Sequence, residues 1–96
     1  MTIDEFQKRI EDIYLERDSA RGVGGTFLWF TEEVGELAGA IRGGRKEDLE
    51  EEFADVFAWL VSLASLTGVR MEDAIAKYAR GCPYCHEAPC SCSDKV

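Results

Sequence analysis

Two pairs of acidic residues stand at the same spacing in two parts of this 96-residue chain. Glu33 and Glu36 lie in TEEVGELAGAI, and Glu52 and Asp55 lie in EEFADVFAWL. Residues three apart on a helix are neighbours on its surface, so each pair can present two carboxylates together. Converging carboxylates repel one another unless a cation lies between them, and an all-oxygen ligand set favours Mg²⁺ or Mn²⁺ over zinc. The spacing therefore predicts a divalent-cation site.

The flanking sequence predicts that the two pairs lie at one level. Each acid pair borders the apolar arc of its own predicted helix, and Gly43-Gly44 is a short connection that favours an antiparallel helical hairpin. At 1.5 Å per residue, the first pair lies ~13 Å before the turn and the second ~15 Å after it. A solvated face is the usual place for any single helical glutamate, but the duplicated spacing favours a shared metal site.

Apolar residues at helical intervals predict an all-α fold, and no strand pattern competes with them. Thr2 and Glu5 have the spacing of a capping box at the start of the first helix. The glycines of DSARGVGG predict a connecting loop, because no Gly-Lys-Ser/Thr follows them as in a phosphate-binding loop. We expect a bundle of four to five helices around the central hairpin. Its helices are predicted from Thr2 to about Arg17, from Thr26 to Arg42, from about Lys46 to Thr67 and from Met71 to Arg80.

The sequence GCPYCHEAPCSC contains all four cysteines of the chain. In a reducing compartment, cysteines grouped in this way favour a metal site over disulfides, and four soft ligands suit tetrahedral zinc. We therefore predict one structural Zn²⁺ bound by Cys82, Cys85, Cys90 and Cys92. The spacing is shorter than that of a zinc ribbon, and a site in which His86 replaces one thiolate, two disulfides, or a free tail are the alternatives. Residues 1–80 are then a helical domain, and residues 81–96 a Cys-rich, metal-binding tail.

Composition limits the partners that this chain can bind. Lys+Arg 11 against Asp+Glu 19 gives a net charge of −8, which argues against nucleic acid and anionic membranes as partners. No apolar run approaches the ~18 residues of a membrane span, and the charged N-terminus is unlike a signal peptide, so we expect a cytoplasmic protein. A chain this short buries little surface, so we expect a homodimer or homotetramer that covers Phe27, Phe57 and Val61.

The two acidic motifs resemble those of the MazG-like nucleotide pyrophosphohydrolases, in the all-α NTP pyrophosphatase superfamily. The Glu-Glu-x-x-Glu motif of that family matches Glu32, Glu33 and Glu36, and its Glu-x-x-Asp motif matches Glu52 and Asp55. The longer stretch WFTEEVGELAGAIRGG is also similar to the first family motif, and the resemblance extends over roughly residues 3–80.

The resemblance implies a site and a reaction. The Mg²⁺ ligands would be Glu33, Glu36, Glu52 and Asp55, and Glu32 would be a nearby acid that helps to orient water. Water would attack the α-phosphorus of a nucleoside triphosphate, giving the monophosphate and pyrophosphate. The resemblance does not single out which carboxylate activates that water, nor the preferred base or sugar.

Substrate contacts are less well defined by the resemblance. Lys77 and Arg80 are plausible equivalents of phosphate-binding residues on the last helix of the family, although the Asn often found there is missing. Trp59 and Trp29 are candidates for a wall on which the base stacks, with a place in the core as the alternative for each. Trp59 is favoured because it follows Glu52 by seven residues on the same side of its helix.

Two other functions are compatible with parts of the sequence. A small helical zinc-containing adaptor would use the tail to bind a partner and would carry the acids as surface groups. A di-iron carboxylate bundle would need Glu-x-x-His pairs, and the only histidine is His86, in the tail. A pyrophosphohydrolase releases pyrophosphate from nucleotides, whereas the adaptor would release none.

Overall fold

The structure is a computed structural model that describes residues 1–93, and over that range it is all-α, as predicted. Its elements are α1 (Ile3–Gly43), α2 (Lys46–Leu66), α3 (Met71–Ala74) and a 3-10 helix (Ile75–Tyr78). Three α-helices are thus present where four to five were expected. Residues 94–96 of the predicted tail lie outside the described residues.

The start and the end of α1 follow from local sequence. Thr2 Oγ1 accepts a hydrogen bond from the Glu5 amide at 3.0 Å, and Glu5 Oε1 accepts one from the Thr2 amide at 2.7 Å. The predicted capping box is therefore confirmed. Gly44 ends the helix with a φ of 76°, a conformation that glycine adopts without steric cost.

The predicted loop DSARGVGG is wrong. α1 continues through this segment, and only Gly22 departs from helical backbone angles, with φ 87° and ψ 169°. A single glycine can absorb the change of direction because it has no Cβ to clash in this region of φ/ψ space. The two helices predicted on either side of the loop consequently become the two halves of α1, joined at a kink.

The helix predicted from Met71 to Arg80 is also shorter than expected. It consists of one α-helical turn, α3, followed by the 3-10 helix. Gly81, with a φ of 110°, ends the helical segment. The amide of Met71 finds its partner outside the helix, in the Oε1 atom of Gln7 at 2.8 Å.

Contacts between α1 and α2 form the body of the molecule. The rings of Phe6 and Phe57 stack at 5.2 Å. Fully buried Gln7 uses Nε2 to donate to Ser65 Oγ and to the carbonyl of Val69, both at 3.0 Å, and so joins α1 to the end of α2. The buried apolar residues are few, namely Ile10, Val61 and Ala64.

One of the three residues expected at an assembly surface lies elsewhere. Val61 is completely buried, because the first half of α1 packs across α2. The expectation was therefore wrong for Val61, while Phe57, which stacks on Phe6, is half-buried. Phe27 remains 51% exposed.

Among the described residues, no single helix is long and apolar enough to cross a membrane. The helices Lys46–Leu66 and Met71–Tyr78 meet the criteria only when they are taken together, with a bend of 97° between them. Such a pair is weak evidence for a span, because core helices of soluble proteins have the same length and composition.

Candidate functional site

Three of the predicted acids come together where the second half of α1 faces α2. Glu33, Glu36 and Glu52 can each place one carboxylate oxygen within 4.8 Å of the others. Oε2 of Glu33 and Oε2 of Glu52 are buried and have no hydrogen-bond partner among the described residues. Buried polar atoms are nearly always hydrogen-bonded. Two buried carboxylate oxygens without a partner at one place therefore indicate that their partner is not part of the chain. An oxygen-only donor set of this kind fits a hard divalent cation.

The electrostatics of this cluster are unfavourable without a cation. Burial is the main cause that raises the pKa of Glu33, and the negative charge of Glu36 is the next. Burial likewise raises the pKa of Glu52, followed by the charge of Glu36. A bound divalent cation would reverse both effects, because it favours the ionised carboxylates.

Asp55 and Glu32 lie at the edge of the cluster. Asp55 is outside the group of three glutamates, although its charge contributes to the raised pKa of both Glu33 and Glu52. Glu32 is exposed beside Glu33. Asp55 is therefore close enough to act with the glutamates electrostatically, while its side chain faces a second feature of the molecule.

That second feature is a cavity of about 220 Å³ between the first half of α1 and α2. Asp55 lies at its wall, so the cavity begins beside the acidic cluster. Ser62, seven residues further along α2, lies ~10 Å from Asp55 at 1.5 Å per residue. The lining residues are Tyr14, Arg17, Asp18, Arg21, Asp55, Ala58, Trp59 and Ser62. The cavity thus offers charged and aromatic groups to a ligand next to the candidate metal ligands.

The ion pair of Asp18 and Arg21 in this cavity was not predicted from the sequence. Arg21 Nη1 lies 2.9 Å from Asp18 Oδ1 and 3.3 Å from Thr26 Oγ1, and both Asp18 and Thr26 are buried. The guanidinium carbon also lies 5.0 Å from the centre of the Trp59 ring. The one available signal was the i, i+3 spacing of Asp18 and Arg21 on a helix. That signal was not used, because DSARGVGG was interpreted as a loop.

The residues predicted to contact the substrate lie in different parts of the molecule. Trp29 and Trp59 stack at 6.2 Å with an angle of 13° between the rings, which joins the two halves of the site. Lys77 and Arg80 are exposed, and Lys77 Nζ lies 5.2 Å from the ring of neighbouring Tyr78. Among the described residues, neither of these cations forms an ion pair with the acids.

The four cysteines form a second candidate metal site. Their Sγ atoms all lie within 4.8 Å of one another, with 3.7 Å between Cys82 and Cys92 and 3.9 Å between Cys85 and Cys90. Four sulfurs bound at ~2.3 Å to one tetrahedral zinc would lie ~3.8 Å apart. The distances therefore suit a single tetrahedral ion.

Backbone amides support the thiolate form of this cluster. The amide of Ser91 donates to Cys85 Sγ at 3.4 Å and is the main cause that lowers the pKa of Cys85 to about 6. Hydrogen bonding with Cys90 raises the pKa of Cys92 to about 12, so without a cation Cys85 and Cys92 do not ionise together. His86 is exposed, which leaves the four sulfurs as the converging ligands.

A family model described as the MazG nucleotide pyrophosphohydrolase domain matches residues 24–86. The matched range contains both acidic motifs, Trp59, Lys77 and the first two cysteines of the tail. No curated protein matches the sequence at a significant level. Since the matched range exceeds half of the 96 residues, the chain belongs to the MazG nucleotide pyrophosphohydrolase family.

Proposed function

We propose that this protein is a Mg²⁺- or Mn²⁺-dependent nucleoside triphosphate pyrophosphohydrolase, which converts an NTP or dNTP to the monophosphate and pyrophosphate. The observation that carries the proposal is the pair of buried, unpartnered oxygens on Glu33 and Glu52, next to Glu36, in a chain of this family. Buried carboxylate oxygens without hydrogen-bond partners do not stabilise a fold, whereas they are suitable ligands for a divalent cation.

The second half of α1 and α2 would act as the hairpin that holds the acids at one level. Glu33, Glu36, Glu52 and Asp55 would bind the cation, which when bound neutralises phosphate charge and stabilises the leaving pyrophosphate. The cavity beside Asp55 would hold the nucleoside, with Trp59 and Tyr14 as its aromatic wall and Trp29 stacked against Trp59. Glu32 is free to orient water from the exposed edge of the cluster.

The phosphates of the bound nucleotide would extend toward solvent, where basic side chains would contact them. Lys77 and Arg80 are exposed in this chain, so they would contact phosphate only after the tail or a second subunit brings them closer. Arg17, on the wall of the cavity, is a nearer cation.

A panel of NTPs and dNTPs tests the reaction. Pyrophosphate release should require Mg²⁺ or Mn²⁺ and stop with chelator, and Glu36→Gln and Asp55→Asn should each lower turnover about 100-fold or more. Glu50→Gln, which removes an exposed acid of α2, is the matched control and should leave turnover unchanged. A helical adaptor would release no pyrophosphate from any nucleotide.

We propose that the tail binds one structural zinc through Cys82, Cys85, Cys90 and Cys92. Four protein ligands leave no open position for water, so this ion would stabilise the fold of the tail. Protein purified under reducing conditions should contain about one zinc per chain. The double variant Cys82→Ser/Cys85→Ser should lose it and keep measurable Mg²⁺-dependent turnover, whereas stoichiometric zinc in that variant would place the ion elsewhere.

We also propose that the protein is a homodimer or homotetramer. The accessible surface is 7010 Å², whereas a monomeric protein of 10.7 kDa exposes about 5,500 Å². The radius of gyration is 15.7 Å, against about 12.5 Å for a compact domain of this length. The excess surface is of the size that a subunit contributes to a stable interface.

A further inference from the structure

The cavity beside Asp55 contains an ion pair that the proposed reaction does not use. Asp18 is only 4% exposed, and it is held by Arg21 at 2.9 Å. Burying an ion pair costs solvation free energy that apolar side chains at the same positions would not cost. A pair kept at the wall of a cavity is therefore a candidate for ligand recognition.

The backbone next to this pair helps to position the side chain of Arg21. The kink at Gly22 directly follows Arg21, and a Cβ on Gly25 would lie 2.8 Å from Arg21 Cγ. Thr26, which is fully buried, provides a second fixed contact for the guanidinium. Gly22 and Gly25 of the DSARGVGG segment thus both have a role in placing Arg21 beside Asp18.

The pair also has hydrogen-bonding capacity left. Within residues 1–93, its hydrogen bonds engage Oδ1 of Asp18 and Nη1 of Arg21. Oδ2 of Asp18 remains an acceptor, and Nη2 and Nε of Arg21 remain donors. Both residues line the cavity, so a ligand bound there would lie beside a group with acceptor capacity and a group with donor capacity.

We propose that Asp18 and Arg21 read the base of the nucleotide, which makes them specificity-determining residues and rests on the proposed function. Cytosine and adenine carry an amino donor next to an unprotonated ring nitrogen. Asp18 Oδ2 accepts from that amino group, and Arg21 donates to the ring nitrogen. In the same orientation, uracil, thymine, guanine and hypoxanthine carry the reverse order, a carbonyl next to a ring N–H, and would place an acceptor against Asp18. The substrate class is therefore the nucleotides of cytosine or adenine.

Two pairs of nucleotides that differ only at this edge test the proposal in the unmodified protein. The kcat/KM for dCTP over dUTP, or for dATP over dITP, should be about tenfold or more, because a buried polar group left unpaired penalises the wrong base strongly. The size of the cavity decides which of the two pairs shows the effect. A ratio near one in both pairs, or a preference for dUTP and dITP, would overturn the proposal.

Variants separate base reading from catalysis. Asp18→Asn can donate as well as accept, so it should bring the ratio close to one, while Asp12→Asn, an exposed acid on the same helix, should leave it unchanged. A ratio that survives Asp18→Asn in a folded protein, verified by circular dichroism, refutes the role of Asp18.

If no nucleotide releases pyrophosphate with Mg²⁺, the proposed function fails, and base reading is then measured by calorimetry. The non-hydrolysable α,β-imido analogues of dCTP and dUTP should still differ about tenfold in Kd. Equal Kd values, or no binding of either analogue, would reject the inference independently of turnover.

Discussion

Glu33 has a buried carboxylate oxygen without a partner, and this defect makes a prediction about stability. Its folded-state pKa is raised, mainly by burial, so the metal-free protein loses stability as the pH rises above the unfolded-state pKa, and the loss is complete above the folded-state pKa. Glu33→Gln should therefore raise the melting temperature of the metal-free protein at pH 7. It should also lower turnover about 100-fold or more, because a cation ligand is lost.

Added Mg²⁺ should stabilise the wild type more than Glu33→Gln. The wild type should gain stability as Mg²⁺ is added, because the ion binds only the folded state, while the variant should gain little. Thermal melting with and without Mg²⁺ measures this, and Glu50→Gln serves as the control. Equal Mg²⁺-dependent shifts in wild type and Glu33→Gln would place the cation away from Glu33.

At the residue scale, helical arithmetic explains which parts of the site were predictable. The turn at Gly44 and the 1.5 Å rise were enough to anticipate that Glu33, Glu36 and Glu52 would meet. The Asp18–Arg21 pair was not anticipated, because it depends on a single positive φ at Gly22 that composition does not reveal. A glycine-rich stretch predicts a loop and a kink equally well.

At the scale of elements, Gly22 divides α1 into two halves that contact different parts of α2. Its φ of 87° and ψ of 169° lie in a region that is essentially restricted to glycine, and no atom lies within 4 Å of an added Cβ. Gly22→Ala should therefore destabilise the protein by about 1–3 kcal/mol through backbone strain alone. In a domain of this length, the melting temperature falls by about 4–8 °C per kcal/mol.

Gly24 provides the matched control for this prediction. It also has open space around an added Cβ, but it lies in the helical part of α1 without a positive φ. Gly24→Ala should stabilise the protein by about 0.5–1 kcal/mol, since alanine is the better helix former. Equal effects of the two substitutions would mean that the kink is absent in solution.

Arg70 links the start of α1 to the connection between α2 and α3. Its guanidinium contacts Asp4 at 2.7 Å and Glu11 at 2.6 Å, and the hydrogen bond from Arg70 is the main cause that lowers the pKa of Asp4 below 3.8. This stabilisation is fully present above the unfolded-state pKa and is lost as the pH falls through the lower, folded-state value. Arg70→Gln should remove that part of the acid dependence.

Melting temperatures between pH 6 and pH 2 measure the effect of Arg70→Gln. The wild type should lose more stability over the acid range than the variant, and the two curves should approach each other at the lowest pH. Arg9→Gln, an exposed arginine on α1, should follow the wild type throughout. Parallel curves for wild type and Arg70→Gln would show that the contact with Asp4 does not persist in solution.

The boundaries of α2 illustrate what local sequence can specify. The predicted end of α2 near Thr67 lies only one residue from the observed end at Leu66. The prediction is close because Gly68, with a φ of 78°, adopts the conformation of a helix-ending glycine. The length of the last helix was not predictable in the same way. Met71 to Tyr78 packs on α1 through one turn only, and tertiary contacts such as the one to Gln7 decide where that turn lies.

At the scale of the whole molecule, the surface carries an apolar stripe that a single chain does not cover. Phe27, Val34 and Ile41 repeat at intervals of seven along α1 and are 51%, 42% and 58% exposed. Seven residues are close to two helical turns, so the three side chains lie on one face. Since only three apolar residues are buried within residues 1–93, burial of this stripe against a second copy would supply much of the missing core.

The stripe predicts the effect of a single charge on assembly. Ile41→Glu places a carboxylate on the apolar stripe, where it would be desolvated without a partner in the interface, so the protein should dissociate toward monomers. Ile13→Glu makes the same chemical change at a residue with similar exposure, 55%, in the first half of α1 and off the stripe. Light scattering at micromolar concentration should give a dimeric or tetrameric mass for wild type and Ile13→Glu, and a smaller one for Ile41→Glu. A monomeric wild type would contradict the assembly itself, while an intact Ile41→Glu oligomer would move the interface to another face, with Phe53 on α2, 56% exposed, as the next side chain to test.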